Sequence, residues 1–249
     1  MLDKLASWDT IDFSSSSDAE ITKILKELNI ALSVDEVKKI QFSFLNRPAT
    51  LTELVLFSIQ GSEHSSYKSS KNHIKHFLTD GDHVILGAKD DAGVVSLSVD
   101  DNGNRYGLVV SHESHNHPSQ IVPYEGAATG VGGNVRDVCC MGAEVMSLGD
   151  SLRFGDIDRN KTKWISDGVV SGIAGYGNPL GIPNICGDLY FDKEYNENCL
   201  VTVLTAGVVK EKNVIRSKAP KNSVNYDLIL VGKPTDNSGF GGASFASLE

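Results

Sequence analysis

A run of β-branched and apolar residues, Tyr106-Gly-Leu-Val-Val110, leads into Glu113-Ser-His-Asn-His-Pro118, and a glycine-rich run follows from Gly126 to Gly133. No other stretch restricts the chain as much. Its first part reads as a buried strand. If the extended geometry continues, period-2 alternation sets Glu113, His115 and His117 on one face and Ser114 and Asn116 on the other. Pro118 cannot donate to a sheet ladder, so the strand is expected to end there. Two imidazoles and a carboxylate then converge at a strand end. The glycine-rich run reads as a loop leading into a helix that reaches Met141.

That pattern leaves more than one chemistry open. His-x-His beside an acid suits a zinc or iron site, since imidazole and carboxylate ligate both metals. It is equally the pattern of histidines that pack or hydrogen-bond. A glycine-rich run before a helix can offer backbone N–H groups and a helix N-terminus to phosphate. This one lacks the Lys-Ser/Thr ending of a P-loop and the order of a dinucleotide fingerprint. Arg136 has a planar fork that can grip phosphate, and its neighbour Asp137 can hold magnesium. The plain alternative for those two is an exposed helical ion pair. From the residues alone, the reading is a magnesium and phosphate site with histidine acid/base groups.

The flanking sequence is that of a globular chain with one large or two small domains. A net charge of -9 argues against a nucleic-acid surface. Four cysteines without C-x-x-C spacing argue against zinc ribbons and thioredoxin-type redox chemistry. With no leader-like start and no apolar run of spanning length, no membrane partner is expected, and the cytoplasm is the expected location. Ser14 to Ser17 is a natural helix start, followed by Ile21, Ile24, Leu25 and Leu28 at helical spacing. Ser33-x-x-Glu36 and Thr50-x-x-Glu53 are capping-box signals for two more helices. Gly61 to Lys68 reads as a polar loop. Strands are expected near His83–Ala88, Val94–Val99 and Tyr106–Val110, joined by Asp/Gly turns into an antiparallel meander. Further strands are expected at Glu144–Gly149, Ile182–Leu189, Cys199–Val209 and Tyr226–Gly232, with a helix over Lys161–Tyr176. Lys210–Val224 is the best linker, and a glycine-rich turn spans Thr235 to Gly242.

Longer motifs carry a resemblance. Glu113-Ser-His-Asn-His-Pro118, Tyr124-Glu-Gly-Ala-Ala-Thr-Gly-Val-Gly-Gly133, Arg136-Asp137 and Ser151-Leu-Arg-Phe-Gly155 resemble phosphoribosylformylglycinamidine synthase, in the synthetase subunit of the small, multi-subunit type. Thr50-Leu-Thr-Glu-Leu54, Ser62-Glu-His64, Ser66-Tyr-Lys-Ser-Ser70 and the stretch from Gly239 to Ser247 are similar too, so the resemblance runs from about Ser33 onward.

It implies an α+β fold of the ATP-binding synthetase superfamily, resembling aminoimidazole ribonucleotide synthetase. Residues 1–50 would be a helical segment, 51–212 an N-terminal mixed-sheet lobe with flanking helices, and 213–249 the truncated start of a second lobe. The implied reaction is ATP-dependent amidation of formylglycinamide ribonucleotide in purine synthesis, through an iminophosphate that ammonia displaces. His115 matches the proton acceptor and His64 the second catalytic histidine. Tyr67 matches an ATP contact, and Glu113 and Asp137 match Mg2+ ligands. Ser114, His115, Asn116, His117 and Arg136 match substrate-binding positions. Two departures bear on nucleotide binding: Ser111 stands where relatives often carry an ATP-binding lysine, and Gln60-Gly61 where they often carry Met-Trp. The implied partners are a glutaminase subunit and a small accessory subunit, since no cysteine here sits in a glutaminase setting. N-terminal lobes of this kind pair through their sheets, so a homo-oligomer through that sheet is a further expectation. The chain alone is expected to be a fragment without activity. Alternatives are another ATP-dependent enzyme of the superfamily, a non-catalytic fragment, and a zinc amidohydrolase built on His115 and His117.

Overall fold

The computed structural model describes residues 5–234, which form two units, one of residues 5–77 with 229–234 and the other from Leu78 to Leu228. In the first, three Ser/Thr-x-x-Glu signals each start a helix. Ser17, Ser33 and Thr50 cap α1 (Asp18–Glu27), α2 (Val34–Lys39) and α3 (Leu51–Gln60). In every case the glutamate three residues on accepts the cap residue's own N–H, so two otherwise orphaned N–H groups are satisfied. A π-helical turn, Ile40–Leu45, continues α2 and ends at Asn46 in the left-handed region. The short strands β1 (Thr10–Ile11) and β2 (Ala49–Thr50) pair antiparallel and close the unit over Phe13, Ile21, Leu25, Val37 and Leu54. Buried Gln41 is satisfied there: it accepts the Phe13 N–H at 3.0 Å and donates to Asp12 at 2.7 Å. Where a polar loop is expected after Gly61, the chain forms α4 (Glu63–Ser66) and then α5 (Lys71–Ile74).

The second unit is one six-stranded sheet in the order β3-β4-β5-β8-β6-β7. Its strands are β3 (Val84–Leu86), β4 (Gly93–Val99), β5 (Arg105–Ser114), β6 (Glu144–Phe154), β7 (Asn184–Phe191) and β8 (Leu200–Lys210). The expected meander is present as β3-β4-β5. Every pairing is antiparallel except β6 with β7, which needs the crossover helix α8 (Asn160–Leu180). The sheet is therefore mixed, as expected. With α8, helix α7 (Pro123–Cys140) covers one face, burying Val131, Leu148, Phe154, Val169, Val201 and Val203. On the other face Val95 of β4 and Tyr190 of β7 are 40% and 57% exposed. All four cysteines are free.

Three expectations need correction. Strand β5 ends at Ser114, not at Pro118, because helix α6 (Asn116–Ile121) has already begun. Pro118 falls in the first turn of that helix, where its missing N–H leaves no bond unmade. His117 is consequently helical, and strand alternation does not set its face. The glycine-rich run is not a loop either: Gly126 to Gly133 lie inside α7, whose first residue is Pro123. Lastly, Tyr226–Gly232 forms no strand; Leu228 to Val231 are exposed and pair with nothing among the described residues. The turn expected from Thr235 and the motif from Gly239 lie outside the described residues.

Candidate active site

The end of β5 and the inner face of α7 form the site. A Cβ at Gly126 would lie 2.6 Å from the backbone nitrogen of Ser119, so only glycine lets α7 pass this close to α6. One turn later, a Cβ at Gly130 would lie 3.0 Å from the His115 Cβ. The glycines thus bring a helix against the histidine, and they offer no free N–H cradle. His115 is pinned by its backbone: its N–H donates to the Val201 carbonyl at 2.8 Å, and its carbonyl accepts the Ser119 hydroxyl at 2.6 Å. Burial pulls the imidazole below its ordinary value, offset in part by the Gly126 carbonyl. Its Nδ1 is buried with no hydrogen-bond partner among the described residues. A neutral, held imidazole at neutral pH is what a proton acceptor requires.

Next to His115, the Asn116 side-chain oxygen accepts the Val201 N–H at 2.7 Å, tying α6 to the start of β8. Gln120 does the same one turn on, accepting the Cys199 N–H at 2.9 Å.

Two residues before His115, Glu113 faces Asp137 of α7. Partial desolvation, with Asp137 as hydrogen-bonding and charged neighbour, pushes the Glu113 carboxyl above its ordinary range. Ser111, on the same strand face, donates its hydroxyl to Asp137 Oδ2 at 3.3 Å and accepts from Asn134 Nδ2 at 2.9 Å. Two facing carboxylates repel unless a proton or a cation lies between them. Magnesium commonly takes one or two protein carboxylates and fills its octahedron with water and phosphate, so this donor pair fits it. Zinc fits poorly. No group of three His, Cys, Asp or Glu among the described residues could hold a metal, and His115 and His117 no longer share a strand face. Arg136 is exposed and makes no ion pair among the described residues, which removes the helical ion-pair reading of Arg136 and Asp137.

His64 and Tyr67 belong to the first unit. His64 lies in α4, and Tyr67 caps that helix in the left-handed region with φ 51°. Glu63 organises the segment. Its carboxylate accepts from the Ser69 N–H at 2.8 Å and the Ser69 hydroxyl at 2.5 Å, from the Ser70 N–H at 3.0 Å, and from the Ser70 hydroxyl. Those donors hold the Glu63 carboxyl down at about 2.

Residues 89–209 match the family described as AIR synthase related protein, N-terminal domain, and residues 21–68 match the formylglycinamide ribonucleotide amidotransferase linker domain. Phosphoribosylformylglycinamidine synthase subunit PurL of Methanothrix thermoacetophila is 50% identical over 237 residues, covering 93% of this chain and 30% of that protein. The PurL subunit of Thermoplasma acidophilum is 44% identical over 248 residues, covering 96% and 32%. Among solved structures, Thermotoga maritima PurL complexed with FGAR matches with TM-score 0.67 and 36% identity, over 86% of this chain and 32% of that one. The PurLQS structure from the same organism matches with TM-score 0.62 and 39% identity, over 76% and 28%. The chain thus spans about 30% of the length of the curated PurL relatives it matches.

Within the residues that match that family, Glu113 and Asp137 are brought into contact, and His115 packs on α7 two residues further along. Ser114 is exposed at the strand end, Asn116 and His117 open α6, and Arg136 points outward from α7. His64 and Tyr67 both lie within residues 21–68, the stretch that matches the linker domain. Two residues escaped the sequence reading. Asn134 has no signal in a single sequence, because its importance depends on which strand α7 covers. Glu63 could have been found, since an acid followed by Ser69-Ser70 is a donor-rich setting.

Proposed function

We propose that this chain is the N-terminal part of a PurL-type synthetase that amidates formylglycinamide ribonucleotide at the expense of ATP. The observation that carries the reading is the Glu113–Asp137 carboxylate pair beside the half-buried His115, at the end of β5 in the stretch that matches the AIR synthase related family. The relatives solved with FGAR and with ATP support the substrate and the nucleotide.

In this reading Glu113 and Asp137 hold Mg2+, which screens the charge of the phosphates when bound. His115, kept neutral by burial, accepts the amide proton as the amide oxygen attacks phosphorus. His64 stabilises charge that develops on the phosphorylated amide. Ser114, Asn116, His117 and Arg136 bind substrate; the exposed guanidinium of Arg136 suits its phosphate. Tyr67 contacts ATP. Asn116 offers its amide NH2 for that task, since one lone pair of its oxygen is engaged by the Val201 N–H.

Ammonia comes from a glutaminase subunit, with a small accessory subunit in the assembly; the related PurLQS structure supports such partners. The apolar, uncovered sheet face supports pairing of two such lobes, either as a homo-oligomer or between repeats. We place the protein in the cytoplasm. Residues 213–249 begin a second lobe, and the 249-residue chain alone is inactive.

The test is ADP formation from ATP with formylglycinamide ribonucleotide and ammonia, run on the complete reading frame and on this chain. Activity in the first, dependent on both co-substrates, is expected. ATP turnover indifferent to formylglycinamide ribonucleotide would sink the substrate assignment. Equal rates in both proteins would sink the division of the apparatus.

A further inference from the structure

Beneath the Glu113–Asp137 pair lies a buried polar cluster that neither the reaction nor the resemblance accounts for. Asn134 is fully buried and Ser111 is 6% exposed, both in the layer between β5 and α7. An amide nitrogen can only donate. The 2.9 Å contact from Asn134 Nδ2 therefore makes the Ser111 oxygen an acceptor, which leaves the single Ser111 proton for Asp137 Oδ2 at 3.3 Å. The result is a directed chain, Asn134 to Ser111 to Asp137, ending on the carboxylate that faces Glu113.

The cluster is costly as packing. Asn134 Oδ1 is buried without a partner, and so is the hydroxyl of Thr205, the cross-strand neighbour of Ser111 on β8. Orphaned buried polar atoms destabilise a fold. Apolar side chains in their place would satisfy the layer better, since Val109, Val138 and Val209 surround them in the same stratum. A group that lowers stability yet aims a hydrogen bond at a carboxylate is serving that carboxylate.

We propose that Ser111 and Asn134 are positioning residues that fix the Asp137 carboxylate opposite Glu113 for a divalent cation. The inference rests on the reading of Glu113 and Asp137 as a cation-binding pair. Outer hydrogen bonds to a ligating carboxylate orient it and tune affinity, commonly by 10–100-fold. At this position the serine would be acting on the metal through Asp137, with no direct contact to a nucleotide.

The experiment is Mn2+ binding to the 249-residue chain, followed by electron paramagnetic resonance with Mg2+ competition, with thermal midpoints taken on the same samples. Asp137→Asn reports on the carboxylate pair itself. Ser111→Ala and Asn134→Leu should each weaken Mn2+ by roughly 10-fold or more, while Ser111→Thr, which keeps the hydroxyl, should stay within about threefold of wild type. Asn134→Leu should keep or raise the thermal midpoint because it removes an orphaned oxygen. Affinity and stability then move in opposite directions, which a packing role would not produce. Thr205→Val should raise the midpoint and leave Mn2+ binding unchanged. If Asp137→Asn abolishes binding while Ser111→Ala and Asn134→Leu bind like wild type, the positioning role is wrong and the carboxylate pair stands. If the wild-type chain takes up no Mn2+, the pair and the positioning role fall together.

Discussion

Glu63 accepts from the amides and hydroxyls of Ser69 and Ser70, and its carboxyl is held down at about 2. Glu113 faces Asp137, and desolvation together with that second carboxylate pushes it up. Both glutamates stand close to a histidine of interest, His64 in one case and His115 in the other. Residue type and neighbourhood in sequence do not separate them; their partners do. The first carboxylate is complete, so its work is to hold a segment in shape. The second lacks positive charge and is finished only by something that binds. Within one chain, the direction of the shift divides a clasp from a site.

The largest expected effect lies beside the incomplete carboxylate. If the proposed reaction is right, His115→Ala in the complete reading frame should lower ammonia-dependent turnover by roughly 10²–10⁴-fold, the usual span for a positioned proton acceptor. The KM for formylglycinamide ribonucleotide should change far less. A folded His115→Ala protein turning over at nearly the wild-type rate would remove the histidine from the chemistry. Glu113→Gln comes next: loss of one hard ligand should weaken Mn2+ by roughly 10-fold or more, without lowering the thermal midpoint, because a repulsion disappears with it. Glu63→Gln should leave Mn2+ affinity alone. Its new amide NH2 meets donors, so amide exchange at Ser69 and Ser70 should quicken by several-fold, on the order expected for a lost local hydrogen bond. Unchanged exchange there would mean that the clasp holds nothing.

The smallest effect is in pH dependence, and the two sites should slope oppositely. A carboxyl held down at about 2 against an ordinary 4.5 contributes stability that is complete above 4.5 and is lost as pH falls toward 2. A carboxyl pushed above 4.5 binds its proton more tightly when folded, so its region loses stability as pH rises past 4.5. Residue-resolved exchange between pH 3 and 7 (about that range suffices) should show Ser69 and Ser70 tightening and the end of β5 loosening. Glu63→Gln and Glu113→Gln should each flatten only its own slope.

What could be read from the sequence follows how local each signal is. The caps at Ser17, Ser33 and Thr50 are decided within three residues, and all three helices start where those signals stand. Asp/Gly turns marked the β3-β4-β5 meander for the same reason. The start of helix α7 is misread because glycine usually punctuates a chain, whereas Gly126 and Gly130 answer to the closeness of Ser119 and His115, which one sequence does not display. The face of His117 was lost because α6 begins before Pro118. Of the site, Glu113, His115 and Asp137 were legible as residue types suited to the chemistry. Ser111 drew notice only as a departure, and Asn134 none, because their meaning depends on α7 lying over β5.

The strand order carries a consequence for how the chain is made. Strand β5 begins at Arg105 and β8 at Leu200, yet β8 lies between β5 and β6 and bonds to both. On a ribosome adding ~5–20 residues per second, the wait between them is on the order of 5–20 s. Throughout that interval the nascent polypeptide holds a finished meander and a finished β6-α8-β7 crossover, each with an unpaired edge turned toward the same vacancy. His115 spends the interval without the Val201 carbonyl that pins it. The last strand of this sheet to be synthesised is the keystone, and until it slots in, those two edges are what a nascent-chain chaperone would have to guard.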